Sequence, residues 1–74
     1  MEAKLEKFDS GWVGLSLALN VSEIEALITR LRNLSSGDIG HFHIRNDDFS
    51  ADEGVADIEI SMIVDMGHGS LSIE

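Results

Sequence analysis

The sequence contains no cysteine, which excludes a disulfide framework and a thiolate metal site and is compatible with a reducing compartment. It also lacks any apolar run near the roughly 20 residues that span a bilayer. The opening stretch Met1-Glu2-Ala3-Lys4-Leu5-Glu6-Lys7 has no apolar signal core, so a soluble, cytoplasmic protein is expected. Cations are missing from the whole second half. All five Lys and Arg lie within residues 1–45, together with six acidic residues, whereas residues 46–74 carry eight acidic residues and no cation. The net charge of −9 is therefore concentrated in one block. A surface of one sign repels phosphate backbones and anionic membranes and speeds association with basic partners. Direct nucleic-acid binding and membrane binding are thus disfavoured. The plainer reading is that acidity only keeps a small protein soluble.

A chain of 74 residues makes a single domain, residues 1–74, with a thin core, and self-association would add to its burial. The surest element is a helix over about residues 22–34. There Ile24, Leu27, Ile28, Leu31 and Leu34 recur on one helical face, and Ser22 with Glu25 has the spacing of a capping box. Arg30 and Arg32 suit the negative end of the helix dipole, and Ser35-Ser36-Gly37-Asp38 ends it. Val13, Leu15, Leu17 and Leu19 alternate with small residues as in a strand. Asp9-Ser10-Gly11 turns the chain so that Ala3–Phe8 folds back, pairing Leu5 with Leu15 and Phe8 with Trp12.

Two further strands, around His41–Ile44 and Asp57–Met62, flank a polar loop. Facing Phe42 with Ile58 sets His41 opposite Glu59 and His43 opposite Asp57 on the outer side. Gly67-His68-Gly69 breaks the chain before a short last strand containing Leu71 and Ile73. The fold class expected is α+β, a ββαββ(β) antiparallel or mixed sheet with one helix packed on one face, leaving the other face open.

That open face carries the candidate sites. Phe8 and Trp12, the only tryptophan, stand beside Gly14, Ser16 and Ala18 and are rimmed by charge, which is the composition of a protein-binding patch with an aromatic anchor. Asp47, Asp48, Asp52, Glu53, Asp57 and Glu59 extend the patch as an acidic docking surface. A heterologous partner, a homodimer seam and an intramolecular cover are the three possible occupants. His41 and His43 project to one side of a strand, a spacing that presents two imidazoles to a metal, with Asp57 and Glu59 as oxygen ligands. Neutralising the acidic strand is the bland explanation for the same histidines. The loop around Asp47–Gly54 does not follow the calcium-binding order of an EF-hand. Neither a nucleophile elbow nor a phosphate-binding glycine loop is present, so no enzymatic activity and no cofactor are expected.

The run Val21-Ser22-Glu23-Ile24-Glu25-Ala26-Leu27-Ile28, with Leu31, Leu34, Gly40-His41-Phe42-His43-Ile44 and Asp57-Ile58-Glu59-Ile60, resembles the immunity protein 32 family of small bacterial proteins over about residues 12–65. An acidic loop stands where that family carries a glycine-rich stretch. The resemblance implies a cytoplasmic inhibitor that binds and blocks a toxin. Its partner is then expected to be a basic toxin or a nucleic-acid-binding protein, met through charge complementarity. Other readings are a metal-binding or small-ligand regulatory module using His41 and His43, a phage-encoded anti-defence inhibitor, and a homodimer of unassigned role.

Overall fold

The computed structural model describes residues 1–64 and 69–74. The break expected at Gly67-His68 and the carboxylate of Asp65 lie outside the described residues. In chain order the elements are β1 (Glu2–Lys7), β2 (Val13–Ala18), α1 (Val21–Ser36), β3 (His41–Arg45) and β4 (Asp57–Ser61), an α+β domain.

β1 and β2 form an antiparallel hairpin in the expected register, with Leu5 opposite Leu15. Its turn is closed by the Phe8 N–H donating to the Trp12 carbonyl at 2.9 Å, and the Gly11 N–H donates to the Phe8 carbonyl at 3.1 Å. Gly11 has φ 91°, the left-handed position of a three-residue hairpin loop, where a side chain would be strained. Because pleating alternates the faces, Ala3, Leu5, Val13, Leu15 and Leu17 share one side of this hairpin.

α1 is capped two residues earlier than expected, at Asn20 rather than Ser22. The Asn20 side chain accepts the Glu23 N–H at 2.9 Å, and the Glu23 carboxylate accepts the Asn20 N–H at 3.0 Å. Ser22 and Glu25 have the same spacing, but Ser22 instead donates its hydroxyl to Asn20 at 2.9 Å. Asparagine caps as well as serine, and the earlier start adds two residues to the helix. Gly37, at φ 86°, terminates it, with the N–H groups of Gly37 and Asp38 donating to Leu34 and Asn33 carbonyls. Since the helix runs through Ser36, Arg30 and Arg32 fall short of the last turn, which holds no cation.

β3 and β4 pair antiparallel, but two residues away from the expected register: Phe42 faces Ile60, Ile44 faces Ile58, and His43 faces Glu59. The Asn46 N–H donates to the Ala56 carbonyl at 2.9 Å, and the Asn46 side-chain amide donates to the Val55 carbonyl at 3.0 Å. These contacts pin the ladder where it emerges from the loop. A shift of two keeps every apolar side chain on the same face, so the hydrophobic pattern does not choose between the two registers.

Two further expectations are corrected. The strands form two separate two-stranded sheets, β1–β2 and β3–β4, rather than one. Hydrophobic alternation dictates which side of a strand faces inward but not which edges join. Residues 69–74 contain no strand, and Leu71 and Ile73 stand fully exposed.

Burial is correspondingly sparse. Leu34 on α1 and Phe42 on β3 are the buried hydrophobic residues among those described. Leu27, Ile28, Ile44, Ile58 and Ile60 are half-buried, while Ile24 and Leu31, on the same helical stripe as Leu34, are exposed. The apolar face of the first hairpin is also open, from 36% at Leu17 to 61% at Val13.

Candidate functional site

The expected continuous face is divided between the two hairpins. At the tip of the first, the Phe8 ring lies over Gly14, so close that a Cβ there would stand 3.4 Å from it. Trp12 is 78% exposed beside the turn. The two aromatics thus share a hairpin end, as the sequence implied, but the histidine strand belongs to the other sheet.

The second hairpin gathers the charged groups. His41, His43 and Arg45 project from one side of β3 because they are two apart, and Glu59 and Asp57 answer them from β4. The Nδ1 of His43 lies 3.0 and 3.1 Å from the two oxygens of Asp57, and its Nε2 lies 3.7 Å from the Glu59 carboxylate. Asp57 is a diagonal neighbour of His43 rather than the directly opposed one, and the long side chains bridge the offset. The same carboxylate is 3.4 Å from the Arg45 guanidinium Nε. His41 stands opposite Ser61, not Glu59, but its ring meets His43 edge to face at 5.2 Å between centroids. His41, His43 and Glu59 each place a possible ligand atom within 4.8 Å of the other two.

The acidic loop is ordered by its own turns. Asn46 accepts the Asp48 N–H at 2.9 Å, and Asp48 accepts the Ser50 N–H at 3.0 Å. The Ser50 hydroxyl and N–H hold the Asp48 carboxyl below its ordinary range. Asp47, Asp52 and Glu53 are exposed. Glu53 reaches back to Lys7 of β1 at 3.4 Å, with both side chains largely in water, so the contact adds little stability.

Two features go beyond what the sequence pointed to. Phe49 stands 70% exposed among the loop carboxylates, and its signal was an apolar residue in an otherwise polar loop. The second is a contact between the Met1 ammonium and Glu23, which joins the start of β1 to the first turn of α1. No spacing rule could have revealed it. The Asn20 backbone N–H and then this ammonium lower the Glu23 pKa.

No family model, curated protein or solved structure matches the chain. Among the described residues, no helix is long and apolar enough to cross a membrane.

Proposed function

We infer that this chain is a binding protein, an immunity-type inhibitor that docks its acidic loop and β4 on a basic, nucleic-acid-acting protein. Charge placement carries the reading. Asp47, Asp48, Asp52, Glu53, Asp57 and Glu59 are all exposed, and the last cation in the sequence is Arg45. Such a field steers a basic partner and repels phosphate. Phe49 supplies an apolar contact in the middle of the carboxylates, as hot spots require. The resemblance to immunity proteins supports the same direction and names the biological class of the partner.

The test is capture from host lysate on the immobilised chain, eluted by raising salt from about 0.05 to 0.5 M, a range over which screening shortens severalfold. A basic protein released as salt rises, and lost when Asp47, Asp48, Asp52 and Glu53 are changed to Asn or Gln, fits the reading. Retention of the same protein at high salt by that neutralised variant contradicts it.

A second association, with another copy of this chain, is favoured by area. The accessible surface is 6696 Å², whereas a compact monomer of 8.1 kDa exposes about 4,500 Å². The radius of gyration is 14.3 Å, against about 11 Å for a compact chain of this length. Part of the excess belongs to the exposed C-terminal residues, but Leu5, Val13, Leu15 and Leu17 contribute to it from a regular sheet face. Charge permits this pairing, because residues 1–45 are close to neutral and the acidic block lies in the other half. The first hairpin therefore pairs with itself and leaves the second free for the partner.

A further inference from the structure

The geometry points to a divalent-metal site on the outer face of β3–β4, with His41, His43 and Glu59 as ligands and Asp57 as the group that orients His43. The ligand type follows from the donors. Two imidazoles and one carboxylate suit zinc or a similar borderline ion, whereas calcium and magnesium prefer oxygen alone. The backbone places all three on one side: the histidines are two apart on β3, and Glu59 is the registered partner of His43.

Their ligand atoms lie within 4.8 Å of one another. Around a tetrahedral zinc, with bonds of about 2.0–2.1 Å, ligand atoms sit about 3.3 Å apart. Small side-chain rotations close that gap, and His41 and Glu59 are exposed and free to make them.

His43 carries the strongest mark of a built site. Both oxygens of Asp57 engage its Nδ1, the contact an Nδ1–H donor makes, and in that tautomer Nε2 presents its lone pair to a metal. Nε2 stands on the Glu59 side at 3.7 Å, beyond hydrogen-bonding distance. A carboxylate holding the far nitrogen of a ligating histidine fixes the ring and raises its basicity, as in known zinc centres. Arg45 pairs with Asp57 at the end of the hairpin away from His41, so its charge lies on the far side of Asp57. Three protein ligands leave a fourth position for water or for a donor from a bound partner.

The experiment is titration of the full chain with zinc chloride, read by calorimetry and by the nitrogen signals of the imidazoles. One zinc per chain is expected, with the Nε2 signal of His43 and the ring signals of His41 moving together. His41→Ala and His43→Ala should each weaken binding at least tenfold, and Asp57→Asn should weaken it about 10- to 100-fold without removing a ligand. Neutralising Asp47, Asp48 and Asp52 should leave affinity within about twofold, since that loop lies outside the ligand set. Imidazole signals unmoved at millimolar zinc overturn the site. So does zinc binding that survives the His41→Ala/His43→Ala double change and disappears with the loop variant. The wild-type imidazole signals decide between these outcomes even if a variant fails to fold.

Discussion

The two hairpins are built alike and used differently. β1–β2 has the tighter turn and the regular six-residue ladder, yet its apolar side, Leu5, Val13, Leu15 and Leu17, stays in water. β3–β4 is shorter and joined by a long acidic loop, yet it contributes the buried Phe42 and crowds its opposite face with histidines and carboxylates. A two-stranded hairpin is marginal until one face is covered. The second is the better buried, with Phe42 buried and Ile44, Ile58 and Ile60 half-buried on its apolar side. Among the described residues the first has no comparable burial, and its strands carry two carboxylates against two lysines, so net charge does not drive a second copy away.

Core substitution should separate them most strongly. Phe42→Ala is expected to cost about 3–5 kcal/mol, which a domain with so little core cannot sustain, and loss of the cooperative urea transition would register it. Leu15→Ala on the other hairpin should cost little if the chain works alone. If a second copy covers the face, the same change removes the dependence of the melting temperature on protein concentration.

Smaller effects sharpen the joint between the hairpins. Asn20→Ala should lose about 1 kcal/mol by removing the helix cap, whereas Ser22→Ala should lose less than half of that because it touches only the capping side chain. Paired urea melts of the two variants check this ordering. Glu23 gives a pH signature. Its folded pKa is depressed, so its stabilising contribution is complete above the ordinary glutamate pKa and is lost as pH falls through the folded value. Glu23→Gln should flatten stability in that acid range, read as the urea midpoint against pH. Trp12→Ala, at an exposed turn, should change stability by less than about 0.5 kcal/mol, which makes it a clean probe of binding.

Legibility in the sequence follows the length of the connections. The Asp9-Ser10-Gly11 turn leaves one register for β1–β2, and Leu5 opposite Leu15 was readable from the residues alone. The loop after Arg45 leaves a choice between registers that bury the same side chains. The Asn46 hydrogen bonds that settle it lie in the loop, beyond the reach of any periodic pattern. Two overlapping capping-box spacings, at Asn20 and at Ser22, concealed the true helix start. That His41, His43, Asp57 and Glu59 share one face was legible because it depends on parity, which the register shift preserved, whereas the pairing of His41 with Glu59 depended on the register and did not hold. The separation into two sheets was not legible, since strand edges carry no side-chain signature.

The proposed pairing of the first hairpin with another copy of the chain is what would set the two hairpins apart. Sedimentation velocity across the micromolar range tests it directly, using wild type and Leu15→Asp. The expected result is a dimer of about 16 kDa, twice the 8.1 kDa chain, that the aspartate dissociates. A cooperatively folded wild-type monomer at every concentration would contradict it.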